Sequence, residues 1–217
     1  KMLNDKRNYL YKYYAEFLKR YKPEHFVFEN VTGLLSAKDP DGKLHLDNML
    51  QLFKKIGYEC SPYILNAKEY GVPQNRRRVI ILGNREGCKK LDLNIPKDPC
   101  KWTINELFND LPKIKAGEKS NKYAKCTNKI LSDLKIREKQ IPLTFHMSRP
   151  NTKQDLSIYE LAVKKWKQNQ KRLNYNDIPS ALQTHKNKSA FTDRFKVVAG
   201  NLTYSHTVVA HVAKDGH

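Results

Sequence analysis

Three consecutive arginines, Arg76, Arg77 and Arg78, precede an unbroken apolar run from Val79 to Leu82 in the stretch EYGVPQNRRRVIILG. The run is short and rich in β-branched residues, which predicts a strand covered on both faces and closed by Gly83. In extended chain alternate side chains leave opposite sides, so Arg76 and Arg78 share one side and Arg77 points away. Two guanidiniums fixed at a strand's mouth can grip a phosphate or a planar base edge through paired hydrogen bonds. A solvated charge run is the other reading of the same residues. A second candidate lies upstream in HFVFENV. Phe26 to Phe28 predict a short buried strand with Glu29 and Asn30 at its carboxyl end, where open α/β sheets bind ligands. The plainer reading of Glu29 is a loop acid that caps a turn or is solvated.

These side chains need a scaffold. Leu10, Tyr14, Phe17, Leu18 and Tyr21 recur at helical spacing over 5–21, and Pro23 ends that helix. Leu46, Met49, Leu50 and Phe53 predict a second amphipathic helix, stopped by Gly57. Tyr58 to Leu65 reads as a strand, followed by a loop that leads through Gln74 to the arginines. Helix, strand, helix, strand, loop, strand indicates an α/β sheet. Beyond Gly83 the texture changes to charged loop with Pro96 and Pro99. Thr103 and Glu106 form a capping-box signature that opens a short helix to Leu111. The segment 113–139 is lysine-rich and reads as a surface linker. A further helix is predicted over 155–170, with Ile158, Leu161, Ala162 and Trp166 on one face. Short β-prone pieces follow at 195–198 and 207–212. The domain boundary is set near Pro112, dividing the chain into 1–112 and 113–217.

The chain has 217 residues, with 41 Lys+Arg against 22 Asp+Glu and a net charge of +19. Such an excess makes a polyanion the default partner, and nucleic acid is preferred over a membrane surface because no long apolar segment or lipidation signal appears. KMLNDKRNYL carries no apolar stretch after its charges, so no signal peptide is expected. Cys60, Cys88, Cys100 and Cys126 show no C-x-x-C pairing, which suits reduced thiols of a cytoplasmic protein and no zinc site. His206 and His211 lie five apart, the wrong spacing for a helical metal pair, so no metal is expected.

Taken in order, these pieces resemble the DNA (cytosine-5-)-methyltransferases of bacterial restriction–modification systems. NDKRNYLYKYYAEFLKRYKPEHFVFENVTGLL is similar to the family's segment from its Asp-x-Arg helix into the Glu-Asn-Val motif. KEYGVPQNRRRVIILG resembles the Gln-x-Arg-x-Arg motif, KWTINELFNDLPKIKAGE the stretch after it, and HMSRPN a piece found ahead of target recognition. The resemblance is close over 1–112 and looser beyond. It implies a partial doubly wound, Rossmann-like methyltransferase sheet joined to a smaller, mainly β target-recognition domain. The family's Gly-rich cofactor loop, its Pro-Cys nucleophile and its closing motifs have no counterpart here. Pro99-Cys100 follows the arginine motif where the nucleophile should precede it.

What the resemblance implies for single residues follows. Glu29 matches the family's Glu and would protonate or hydrogen-bond ring nitrogen three of a flipped-out cytosine from a dry pocket. Asn30 would position the loop. Arg78 would hold the base's exocyclic oxygen, and Arg76 would reach a backbone phosphate or orient Glu29. Thr207 of Thr207-Val208 resembles a residue that touches phosphate beside the flipped base, while Arg194 and Lys196 are DNA contacts on charge grounds alone. The implied methyl donor is S-adenosylmethionine, with its main binding loop outside this sequence and no donor-binding residue assigned. Duplex DNA is the implied partner. The chain is expected to be an internal segment that transfers no methyl group alone, with the missing motifs removed or supplied by another polypeptide. A sheet cut off from its first strands should expose apolar surface at its edge, which predicts poor solubility or dimerisation. A non-catalytic DNA-binding module or relic is the competing reading, and a nuclease the enzymatic one, although no carboxylate cluster beside a lysine supports it.

Overall fold

The computed structural model describes residues 5–124, 127–137, 141–189 and 192–207. The chain forms two compact units, one ending at Cys100 and the other beginning at Lys101, ahead of Pro112.

The first unit is built on a three-stranded sheet of β1 (His25–Val31), β2 (Tyr58–Asn66) and β3 (Arg77–Arg85). The central strand, β3, is antiparallel to both neighbours. The outer strands are therefore parallel to each other, joined by the crossover helix α2 (His45–Lys55). Helix α1 (Tyr11–Tyr21) precedes β1 and ends two residues before Pro23, with Lys22 between them in the left-handed region at φ 47°. Both helices cover the same face. Tyr14 on α1 and Phe53 on α2 each meet Phe26 and Phe28 at ring distances between 5.1 and 6.3 Å. Leu18, Met49, Phe53, Tyr58, Val79 and Ile81 close that core at no more than 1% exposure.

The doubly wound expectation is thus only partly met among the described residues: the sheet is α/β with one crossover, but its helices lie on one side. The other face is less covered. Val27 and Val31 are 60% and 53% exposed. At the far end of that face the returning segment is tied down side chain by side chain. Asn84 exchanges hydrogen bonds with the Leu91 backbone, Tyr63 donates to Asp92, and Lys90 reaches Glu59 at 2.5 Å.

From its position after the apolar run Gly83 is expected to close β3, but the strand continues through it to Arg85. Its small size has another cause. A Cβ at Gly83 would lie 2.0 Å from the Phe26 ring, so the glycine makes room for an aromatic that the core requires.

The second unit is not mainly β among its described residues. Its longest element is a 17-residue helix, α5 (Lys153–Asn169), whose N-terminus carries a Thr152–Asp155 capping box. Ile158 and Ala162 are buried on its inner face, as predicted, and pack with Leu173, Tyr175, Ile178 and Phe195. The 195–198 piece forms no strand; Phe195 is instead drawn singly against Tyr175 and Tyr159, so its apolar residues serve a small core without ladder pairing. The predicted capping box at Thr103 and Glu106 is present and opens α3, which spans Ile104–Leu107 and stops short of Leu111. The lysine-rich stretch is anchored by α4 (Lys129–Asp133), where buried Asn128 donates to the carbonyls of Glu106 and Leu107. A two-residue strand β4 (Lys119–Ser120) pairs antiparallel with β5 (His146–Met147). Cys126, Val208 and the remainder of the predicted strand to Val212, with His211, lie outside the described residues.

Candidate active site

Glu29 and Arg78 come together because β1 and β3 are antiparallel with a defined register. Glu29 pairs with Ile80 and Val31 pairs with Arg78, so Glu29 and Arg78 are diagonal neighbours on one face. Arg78 Nε donates to Glu29 Oε1 at 2.6 Å, and its Nη1 donates to the Arg77 carbonyl at 2.8 Å. That second bond holds the guanidinium plane in place. Arg76 Nη2 lies 3.7 Å from the same carboxylate oxygen. The Arg77 side chain is exposed and is not among the groups on Glu29, as the alternation predicts; only its carbonyl takes part. The acid and both guanidiniums therefore converge at one strand mouth.

The dry pocket expected around Glu29 is not found. The Glu29 side chain is 51% exposed, against 19% for Arg78 and 41% for Arg76. The cause is topological: Glu29 is on the edge strand and on the face away from α1 and α2.

Asn30 leaves the other side of β1. Its Oδ1 accepts from the Val31 N–H at 2.8 Å, and its side chain borders a cavity of about 800 Å³. The walls include Asp5, Arg7, Tyr11, Phe28, His45 and Met49. Arg7 grips Asp5 through Nε at 2.9 and 3.0 Å, and this pairing holds the Asp5 carboxyl down to about 2. His45 is 4% exposed, and neither ring nitrogen has a hydrogen-bond partner. No sequence signal singled out His45. Asp5 and Arg7 lay within the motif that carried the family resemblance but were assigned no role.

The other expected site residues are in the second unit. The Arg194 guanidinium stacks 4.2 Å from the Tyr175 ring centre and donates to the Asn187 carbonyl at 3.0 Å. Lys196 lies 3.8 Å from Asp193, which also accepts from Arg172 at 3.0 Å. Both cations therefore have internal partners. Thr207 is half-buried beside His206, whose pKa is lowered first by burial and then by Lys196 and Arg172. Cys100 is buried, and burial pushes the Cys60 thiol up to about 11, so neither resembles an activated nucleophile. Among the described residues no group of three or more His, Cys, Asp or Glu is arranged to hold a metal ion, and no helix is long and apolar enough to cross a membrane.

Glu29, near the carboxyl end of β1, thus meets Arg76 and Arg78 at the start of β3. The family of C-5 cytosine-specific DNA methylases matches this chain over residues 1–208. The chain belongs to that family. Among its curated relatives, the type II methyltransferase M.Bpa9945I of Bacillus paralicheniformis is 37% identical over 235 residues, covering 98% of this chain and 51% of the relative. M.DdeI of Desulfomicrobium norvegicum is 38% identical over 120 residues, covering 52% of this chain and 29% of the relative. The chain thus spans about half the length of the first of these relatives. Among solved structures, the S. pombe Dnmt2 methyltransferase aligns over 89% of this chain and 67% of its own, at 11% identity and a TM-score of 0.36.

Proposed function

We propose that this chain supplies the base-holding half of a restriction–modification DNA (cytosine-5-)-methyltransferase acting on duplex DNA. The observation that carries this reading is the convergence of Arg78 and Arg76 on Glu29 at the end of β1. Cytosine carbon five becomes nucleophilic only after a thiolate adds to carbon six, a step this sequence does not itself provide. Glu29, taking up a proton from water as the entering base desolvates its carboxylate, helps that step by hydrogen-bonding ring nitrogen three, which draws negative charge out of the ring as the adduct forms. Arg78, oriented by the Arg77 carbonyl, directs a charge-assisted hydrogen bond to the exocyclic oxygen. Arg76 is the more exposed of the pair and serves a backbone phosphate or the orientation of Glu29. The base must leave the duplex to reach these groups. As it enters, it displaces the water around Glu29 and supplies the dry environment that the free site lacks.

S-adenosylmethionine is the donor the family implies. The cavity beside Asn30 has the size of a small-molecule pocket, but its walls of Phe28, Tyr11 and Met49 lie on the face of β1 opposite Glu29 and Arg78, so no donor-binding residue is assigned in this chain. Bound in the complete enzyme, the donor would supply the electrophilic methyl group.

In this reading the surplus positive charge holds the DNA through phosphates, with Thr207, Arg194 and Lys196 contributing from the second unit. The missing methyltransferase segments lie elsewhere in a longer chain or on another polypeptide, and the sheet edge at β1 is where pairing with further chain, or with a second copy, would occur. The test is transfer of a labelled methyl group. The isolated 217-residue chain should bind duplex DNA without turnover. Turnover by that chain alone would refute the division of labour, and absence of duplex binding would refute the nucleic-acid reading.

A further inference from the structure

Asn66 carries a cost that its place at a strand end does not explain. It is the last residue of β2 and is 8% exposed. Its Nδ2 donates to Asn75 Oδ1 at 2.7 Å, while its own Oδ1 is buried without a hydrogen-bond partner. A buried acceptor left unpaired lowers stability, which an apolar side chain of the same shape would not do. What the Asn66 amide provides in return is a hold on the segment that carries the arginines. Asn66 pairs with Arg77, so its side chain leaves the face that α1 and α2 cover, opposite Glu29. Asn75, two residues before Arg77, leaves on that same side. Arg76 stands between Asn75 and Arg77 and is aimed the other way, with Nη2 3.7 Å from Glu29.

The two arginines of the site are held by different means. Arg78 lies within β3 and is paired with Val31 on one side and Leu65 on the other. Arg76 stands one residue before β3, at the neck of the loop 67–75. Its carbonyl accepts from the Ala67 N–H at 3.0 Å, and its own N–H donates to the Gln74 carbonyl at 2.9 Å. The Asn66–Asn75 bond closes the same neck from the side chains. At its far end the loop is tied by Lys97 to Glu69 at 2.8 Å and by the bridge between Tyr70 and Asp98. We infer that Asn66 is a positioning residue for Arg76: through Asn75 it fixes where the Arg76 guanidinium meets a phosphate of the bound duplex. This deepens the DNA-methyltransferase reading and rests on it. Asn66 faces away from the reacting base, so it acts through Arg76 and leaves the Arg78–Glu29 pair in place.

The test is steady-state methylation by the full-length enzyme over a range of duplex concentrations, with melting temperatures measured in parallel. Asn66→Leu should raise KM for duplex about fivefold, the equivalent of one net hydrogen bond, with kcat within about twofold of wild type. Its melting temperature should equal or exceed that of the wild type, because the unpaired acceptor is gone. Arg76→Ala should raise KM by more, and adding Asn66→Leu to it should raise KM no further. Additive effects in the double variant, or a wild-type KM in Asn66→Leu while Arg76→Ala raises it, overturn the inference and leave the DNA reading intact. If Asn66→Leu melts below wild type, Asn75→Ala decides from the half-buried side of the same bond. A raised KM with an unchanged melt then supports the positioning, and an unchanged KM overturns it. If Arg76→Ala itself leaves KM unchanged, the phosphate role of Arg76 falls and this inference falls with it.

Discussion

Arg78 donates to Glu29 at 2.6 Å across 49 residues of sequence, and the antiparallel register of β1 and β3 is what brings them together. The pair is exposed enough that its worth as a salt bridge is small, below about 1 kcal/mol. Its location is therefore better explained by what it holds than by what it stabilises.

The two arginines should not be equivalent. Arg78 is braced by the Arg77 carbonyl and close to the acid, whereas Arg76 is 3.7 Å away and more exposed. In the full-length enzyme, Arg78→Lys should reduce kcat by roughly 100-fold, since lysine lacks the planar fork that a braced, two-partner site uses. Arg76→Lys should mainly raise KM for DNA. Steady-state methylation of both variants checks the split.

Much of this site was legible beforehand. Alternation along an extended chain was enough to separate Arg77 from Arg76 and Arg78, and helical spacing located α1, α2 and α5 within a few residues. The Thr103–Glu106 capping box was visible because its two partners are local. What could not be read came from tertiary contacts. The half-exposure of Glu29 depends on which face the helices cover, and periodicity in β1 is silent on that. The reason for Gly83 is a ring 57 residues earlier in the chain, pressed onto it by register (Phe26↔Gly83). The 195–198 piece has strand-like composition, yet Phe195 is fixed by Tyr175 and α5 instead of by a neighbouring strand.

Gly83→Ala should destabilise the first unit by about 1–3 kcal/mol, because the new methyl group meets the Phe26 ring in a filled core. Phe26→Leu should recover part of that loss in the double variant. Urea midpoints of the single and double variants measure the coupling.

Asp110 is 2% exposed at its side chain and pairs with Arg137, whose guanidinium also covers the Tyr123 ring. Removing the cation leaves a buried carboxylate without its charge partner. Arg137→Ala should therefore cost about 3 kcal/mol, and a thermal melt should show the second unit losing stability first.

His206 gives a pH dependence with a defined sign. Its folded pKa lies below the ordinary histidine value of 6.5, chiefly through burial. The unfolded state then binds more protons near and below that value, so its contribution to stability is present above pH 6.5 and lost as the pH falls toward the folded pKa. His206→Asn should flatten this part of the stability profile, measured as denaturant midpoints from about pH 7 to pH 5.

We infer that Glu29 acts on the base and not on the fold. Single-turnover transfer of a labelled methyl group by full-length Glu29→Gln, with duplex affinity and melting temperature measured in parallel, tests it directly. The expected rate is lower by about 100- to 10,000-fold, with affinity and melting temperature close to wild type. A wild-type rate, or a loss that follows unfolding alone, would contradict it.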